Sequence, residues 1–153
     1  MKTLELKIPP PVIALLAAIG MWAISRSTPL LEVPGNVRLL AAGTLGLVGI
    51  ASAIASVVTF RRAGTTIHPH RPQETSALVS SGLYGISRNP MYVGLLFVLV
   101  AWSVFLSSPW SLAGPIAFVL YISCFQIIPE ERVLSAKFGE AYDSYKARVR
   151  RWL

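Results

Sequence analysis

Long stretches without a charged side chain are the feature that most limits what this chain can fold into. Residues 8–25, 39–60 and 89–129 contain no Asp, Glu, Lys or Arg. A helix rises about 1.5 Å per residue and the hydrocarbon core of a bilayer is about 30 Å thick, so each of the first two stretches is long enough for one crossing. The third is roughly twice as long and carries Ser-Ser-Pro-Trp at residues 107–110, which favours a tight turn. We therefore predict an all-α integral membrane bundle of four transmembrane helices, at about residues 9–26, 38–60, 91–106 and 110–128.

The distribution of basic residues predicts the orientation of this bundle. Of the 14 Lys and Arg residues, all but Arg26 and Arg38 lie at the end that carries both termini and the connection between the second and third helices. Such an excess marks the cytoplasmic side of a membrane protein. We therefore expect a multi-pass protein of the cytoplasmic membrane with both termini in the cytoplasm. The net charge of +7 follows from this bias, so it predicts anionic membrane lipids as partners and no nucleic acid.

The chain is predicted to form a single membrane domain over residues 1–153. Residues 1–60 would supply two supporting helices, and residues 61–153 a loop, a helical hairpin and a C-terminal helix. The N-terminal segment does not resemble a cleaved signal peptide, because Glu5 and the prolines at 9–11 fit poorly and no A-x-A site follows.

Small residues in the second helix predict a close contact between two helices. Gly43, Gly46 and Gly49 follow one another at spacings of three. Small residues let two backbones approach closely in lipid, where the hydrophobic effect does not drive helices together. We predict that these glycines pack against another helix of the same bundle rather than form a dimer interface.

The segment Pro129–Leu153 has the pattern of an amphipathic helix lying on the cytoplasmic surface of the membrane. Pro129 suits a first helical turn, and Glu130 and Glu131 complement the positive end of a helix dipole. Gly139 is a candidate position for a bend, because glycine weakens a helix by about 1 kcal/mol relative to alanine. Apolar residues recur every three or four positions and are flanked by basic ones. The apolar residues are Leu134, Phe138, Tyr142, Tyr145, Val149 and Trp152.

Polar side chains are expected to meet at the cytoplasmic end of the hairpin. The third and fourth helices are joined by a tight turn, so their inner ends, residues 89–92 and 128–131, should be neighbours. Each polar residue taken alone has a simpler explanation: positive-inside bias for the arginine, an interfacial belt for tyrosine, and helix capping for the glutamates. The combination, next to the long connection 61–90, predicts a site. The cluster consists of Arg88, Asn89, Tyr92, Glu130 and Glu131, with Tyr84 close behind.

Two histidines in the connection are not predicted to bind a metal. His68 and His70 flank a proline, with Glu74 nearby. Their spacing matches no recognised metal motif, and the adjacent Arg71 opposes a bound cation. We predict hydrogen bonding within the loop or contact with lipid headgroups.

Two motifs resemble those of the isoprenylcysteine carboxyl methyltransferase family and of the related phospholipid methyltransferases. The first is SGLYGISRNPMYVG at residues 81–94, and the second is PEERVLSAKFGEAYDSYKARVRRWL at residues 129–153. They are similar to the family's R-H-P-x-Y-x-G element and to its E-E pair followed by F-G-x-x-Y-x-x-Y. The resemblance covers roughly residues 65–153.

The resemblance implies a membrane-embedded methyltransferase that uses S-adenosyl-L-methionine without a Rossmann domain. A lipophilic small molecule or a lipidated substrate would enter from the bilayer. Methyl transfer is an in-line displacement, so the protein must mainly align the acceptor and exclude water. The resemblance implies catalytic roles for Arg88, Asn89 and Tyr92. It implies cofactor contacts from Ser76, Ala77, Leu78, Val79, Tyr84, Asn89, Pro90, Met91, Tyr92 and Glu130.

Two positions differ from the pattern of the prenylcysteine enzymes. Asn89 stands in place of a histidine, so it retains hydrogen bonding but cannot act as a titratable base. Gln126 stands in place of an arginine that handles substrate, and we assign it to substrate binding. The acceptor remains open among a carboxylate, a thiol and a lipid amine. An amine must first lose a proton from a group with a pKa near ~10, so the sequence slightly favours an acceptor that is already anionic.

Two other classes of protein remain alternatives. A membrane reductase of the steroid or enoyl-lipid kind has a similar C-terminal half and would bind NADPH, although this chain is short for that class. A non-catalytic membrane scaffold would keep the fold without turnover.

Overall fold

The regular structure of the described part of the chain is helical. The computed structural model describes residues 5–62 and 78–153, and no strand is present in these two ranges apart from one isolated bridge. The first helices are α1 (Pro10–Arg26), α2 (Gly35–Arg62), a 3₁₀ turn (Gly82–Gly85) and α3 (Pro90–Leu106). They are followed by a 3₁₀ turn (Pro109–Leu112), α4 (Ala113–Ile122), a π-helical turn (Ser123–Ile127), α5 (Ile128–Phe138) and α6 (Glu140–Arg148).

Two helices are long and apolar enough to cross a membrane, judged by length and composition. They are α2 and the continuous helix Pro109–Phe138, which contains α4 and α5. The helices α1 and α3 are shorter and apolar, and each begins within one residue of its predicted start. Both start at a proline, which suits a first turn because the N–H that proline lacks has no partner there. The helix α2 extends beyond its predicted bounds of 38–60 at both ends.

The fourth helix differs from the prediction because it does not end at residue 128. It continues to Phe138, and a π-helical turn absorbs Pro129. Proline cannot donate a bond to the carbonyl four residues earlier, and here that carbonyl, of Phe125, accepts a hydrogen bond from the Leu6 amide at 3.0 Å. The Ile128 amide bonds instead to the carbonyl of Ser123, five residues back. Single π-turns inside α-helices are rare, and those that occur often lie at functional sites.

Residues 129–153 also differ from the single amphipathic helix that the sequence predicts. The helix breaks at Gly139, whose φ of +50° is a conformation that favours glycine, and this confirms the predicted bend. After α6 the chain leaves the helical conformation at Val149. Most of the predicted apolar stripe packs inside the protein: Tyr142, Tyr145 and Val149 are buried, against Leu78, Leu134 and Phe138.

The main core lies among α1, α3 and the fourth helix. Met21, Leu99 and Phe118 are buried there, together with Ile122 and Ile127. At the far end of the bundle the turn between α3 and α4 is tied to the end of α1. The hydroxyl groups of Thr28 and Ser108 share a hydrogen bond of 2.9 Å, and the Leu31 amide donates to the Ser107 carbonyl at 2.7 Å.

The helices α2 and α3 touch through their backbones at two glycines. A Cβ atom on Gly49 would lie 2.6 Å from the Gly94 carbonyl oxygen, and one on Gly94 would lie 2.7 Å from the Gly49 oxygen. Neither backbone can move aside cheaply, so only glycine fits at either position. Gly46 also faces α3, since a Cβ atom there would lie 3.8 Å from Ala101, whereas nothing lies within 4 Å of the same position on Gly43. The predicted packing within the bundle is therefore made by Gly49 and Gly46.

Gly49→Ala is expected to lower the free energy of unfolding by about 1–3 kcal/mol, because the new methyl group overlaps the α3 backbone. Gly43→Ala is the matched control on the same helix, and its open surroundings predict no loss of stability. Denaturant unfolding of both variants in detergent micelles checks this, and equal stability of the two would contradict the close contact.

Candidate functional site

The two segments that the sequence predicts to be neighbours, residues 89–92 and 128–131, are in direct contact. The Tyr92 hydroxyl, in the first turns of α3, donates a hydrogen bond of 2.7 Å to Oε1 of Glu130, in the first turn of α5. The side-chain amide of Gln126 donates to the same oxygen at 2.6 Å. Gln126 reaches Glu130 because the two residues are four apart along the helix, a spacing that places side chains on one face. Tyr92 and Gln126 are buried, so Glu130 is held from two sides.

The second glutamate of the pair binds two arginines. Nη2 of Arg88 lies 2.8 Å from Oε1 of Glu131. Arg151 donates to both carboxylate oxygens, from Nε at 3.0 Å and from Nη2 at 2.7 Å, which is the bidentate geometry that suits a guanidinium group. The hydrogen bond to Glu131 raises the pKa of Arg151. The side chains of Arg88 and Glu131 are only 11% and 16% exposed, so these charges depend on one another for compensation.

The segment after α6 closes back onto the residues before α3. The Arg88 amide donates to the Arg150 carbonyl at 2.9 Å, and the Asn89 side-chain amide donates to the Arg151 carbonyl at 2.9 Å. Further along, the Trp152 indole N–H donates to the Ser123 hydroxyl at 3.2 Å. Asn89 therefore uses its side chain to hold this C-terminal segment, residues 149–153, beside the two glutamates.

Tyr84 stands at the side of the cluster in the 3₁₀ turn Gly82–Gly85. Its ring is buried and meets the ring of Phe60 edge-on, with 5.0 Å between centroids. Its carbonyl accepts a hydrogen bond of 2.6 Å from the Tyr145 hydroxyl. Burial raises the pKa of Tyr145 to about 12. The turn is thus fixed between α2 and α6.

The other predicted site residues fall into three groups. Pro90 is buried at the start of α3, and Met91 packs against the main core. Val79 is buried, and Leu78 packs on the tyrosines of α6. Ser76 and Ala77, like His68 and His70, lie outside the described residues. The part of the chain that is described holds no group of three potential metal-ligating side chains.

Sequence reasoning missed Arg151 and the role of the C-terminal segment. Arg151 belongs to a basic run that positive-inside bias explains well enough, so nothing in its neighbourhood marks it out. The sequence places its partner, Glu131, in the predicted cluster with Arg88, but it does not predict that Glu131 also binds Arg151. The signal that could have found the pair is the position of Glu131 beside Glu130, since a second carboxylate near a buried one requires compensating cations.

Comparison with known proteins places the chain among methyltransferases. The sequence profile described as phospholipid methyltransferase matches residues 37–141. An uncharacterized protein of Haemophilus influenzae is 48% identical over 63 residues, which are 41% of this chain and 100% of that protein. Protein-S-isoprenylcysteine O-methyltransferase B of Arabidopsis thaliana is 34% identical over 109 residues, which are 69% of this chain and 54% of the plant protein. The chain thus spans about half the length of the plant protein, and no solved structure matches it.

Proposed function

Because the chain belongs to the phospholipid methyltransferase family, we propose that it is an S-adenosylmethionine-dependent methyltransferase acting on a lipophilic or membrane-associated acceptor at the cytoplasmic face. The family match covers well over half of the chain and includes Tyr92 and Glu130. The observation that carries the proposal is the hydrogen bond between these two side chains. It joins the two motifs at one end of the bundle, where the 3₁₀ turn Gly82–Gly85 leads into α3.

We propose that the chain crosses the membrane four times, with both termini in the cytoplasm. Two helices meet the length criterion. The helices α1 and α3 have 17 residues each, which is at the short end of the range for a crossing, ~17–25 residues. The cations Arg26 and Arg38 mark one end of the bundle, and the other Lys and Arg residues within the described ranges mark the opposite end, so the candidate site would lie on the positive, cytoplasmic side.

The chemistry of Glu130 suits a cationic, hydroxyl-bearing cofactor. Both of its hydrogen bonds from described residues go to Oε1, so Oε2 remains open as an acceptor. S-adenosylmethionine supplies an activated methyl group on a sulfonium and carries ribose hydroxyls and an ammonium group. We assign Glu130 to bind one of these donors, with Tyr92 orienting the carboxylate and offering its ring to the positive charge.

The remaining predicted residues are given supporting roles in this proposal. Arg88 and Asn89 hold the C-terminal segment at the site through Glu131 and the Arg151 carbonyl, which fixes the start of α3. The loop backbone around Leu78 and Val79, with Ser76 and Ala77 before it, would contact the cofactor. Tyr84, Pro90 and Met91 would complete the walls of the same pocket.

The pairing of charges at the site bears on the acceptor. Arg88 and Arg151 are both engaged by Glu131, and Gln126 donates to Glu130. A carboxylate acceptor would therefore find no guanidinium without a carboxylate partner in the described part of the cluster. This pairing disfavours the anionic acceptor that the sequence alone favours and leaves a lipid amine and a thiol as the candidates.

Isothermal titration of the purified protein tests the cofactor. We expect S-adenosylmethionine and S-adenosylhomocysteine to bind and NADPH not to bind. Binding of NADPH alone would overturn the proposal and indicate a membrane reductase. Binding of none of the three compounds would indicate a non-catalytic scaffold. Methyl transfer from labelled S-adenosylmethionine to phosphatidylethanolamine, a prenylated cysteine or a small thiol then identifies the acceptor.

A further inference from the structure

An apolar groove runs along the bundle between α1 and α2. Both helices pack on α3 and make little contact with each other, so α3 forms the floor of a space of about 460 Å³. That volume falls within the range of ligand pockets, ~300–1,000 Å³. Small residues line its walls and leave the space open: Ala14 and Ala18 on α1, and Ala42 on α2. Trp102 and Phe105, stacked 5.3 Å apart, form the floor at one end.

An arginine stands at that end of the groove. The guanidinium carbon of Arg38 lies 5.6 Å from the centroid of the Phe105 ring, and Arg38 is one helical turn before Ala42, which lines the groove. Its Nε is buried and donates no hydrogen bond to any residue in the described ranges. No carboxylate among those residues pairs with it. Arg38 therefore presents a positive charge with no carboxylate partner among the described residues, beside the apolar groove.

The position of Arg38 in its helix does not explain why a cation stands there. Arg38 lies in the first turn of α2, which contains no acidic residue, and a cation there is opposed by the positive end of the helix dipole. The same end attracts anions through its free N–H groups. Helix dipole and guanidinium group thus add to one positive potential, at the end of α3 opposite to Tyr92.

We propose that this groove binds an anionic phospholipid, with the phosphate on Arg38 and the first turn of α2, and one acyl chain in the groove. Arginine binds phosphate through paired N–H donors, and the acyl chain matches walls made of alanine, leucine and aromatic side chains. The lipid acts as a wedge that holds α1 apart from α2. This inference rests on the membrane topology proposed above but not on methyl transfer, because Arg38 and Glu130 lie at opposite ends of the bundle.

Native mass spectrometry of the detergent-solubilised protein tests the proposal. Phosphatidylglycerol and phosphatidylcholine with identical acyl chains are added in turn, and inorganic phosphate is added separately. We expect phosphatidylglycerol to bind at least about tenfold more tightly than phosphatidylcholine to the unaltered protein, and Arg38→Gln to remove this preference. Arg26→Gln is the matched control, since Arg26 is the exposed cation at the same end of the bundle, and it should retain the preference.

A second variant separates the contribution of the acyl chain in the groove from that of the Arg38 charge. Ala42→Phe fills the groove one turn from Arg38 and is expected to weaken the binding of both lipids. Inorganic phosphate should leave the melting temperature unchanged in a thermal-shift measurement. Equal binding of the two lipids to the unaltered protein, or a preference unchanged in Arg38→Gln, would overturn the proposal. Stabilisation by inorganic phosphate alone would also overturn it, in favour of a simple anion site. Binding of S-adenosylmethionine, measured in parallel, reports on the proposed function independently of these outcomes.

Discussion

Glu130→Gln is expected to weaken the binding of S-adenosylmethionine by about tenfold to a hundredfold while the protein remains folded. The substitution keeps the shape of the side chain but removes the charge that strengthens its hydrogen bonds, and a bond to a charged group contributes ~1.5–3 kcal/mol. Tyr92→Ala removes the donor that orients Glu130 at 2.7 Å and should weaken binding in the same direction. Isothermal titration of each variant measures the effect.

Glu140→Gln provides the control for this pair. Glu140 is an exposed carboxylate at the start of α6, so its neutralisation changes the net charge equally without touching the cluster. We expect its affinity for the cofactor to match that of the unaltered protein. If Glu130→Gln and Tyr92→Ala also retain full affinity with intact helical content, the site assignment fails.

The second large effect is expected in stability. Glu131→Gln leaves Arg88 and Arg151 without the carboxylate that both of them bind, and breaking a buried ion pair on one side costs about 3 kcal/mol. The loss should appear as a lower free energy of unfolding in micelles. It should also raise hydrogen exchange at the Arg88 amide, which donates to the Arg150 carbonyl, because the C-terminal segment is held beside it by the same arginines.

Asp143→Asn tests whether burial of the ion pair is the cause of the large stability loss expected for Glu131→Gln. Asp143 pairs with Lys146 at 2.9 Å, and its side chain is 61% exposed, whereas Glu131 is 16% exposed. An exposed pair of this spacing contributes only about 0.5 kcal/mol. Similar small losses in both variants would show that the Glu131 cluster is not a buried network.

The helices were predictable where the sequence marks both of their ends. At α1 and α3 a proline begins the apolar run, and Arg26 or the Ser-Ser-Pro turn ends it, so the boundaries agree closely. The fourth helix was not predictable in the same way, because Pro129 ordinarily ends a helix. Its continuation depends on the Leu6 amide reaching the carbonyl that Pro129 leaves free, a contact between segments far apart in the chain.

The candidate site was predictable only in part. A tight turn between two helices brings their inner ends together, so Tyr92 and Glu130 could be paired from topology. The residues that hold the C-terminal segment depend on backbone pairing between Ser87 and Arg150, which leaves no local pattern. Arg151 becomes recognisable only after that pairing has placed it beside Glu131.

The contact between Gly49 and Gly94 has a consequence for how a bulky molecule reaches the site. Each glycine leaves space that the backbone of the other helix fills, so a relative shift of α2 and α3 would push neighbouring side chains against a backbone. Tyr92 lies on α3. If the proposed lipid acceptor binds beside Tyr92, we therefore expect α1 or the fourth helix to move in order to admit it. Crosslinks between α1 and the fourth helix should then slow methyl transfer, whereas crosslinks between α2 and α3 should leave it unchanged.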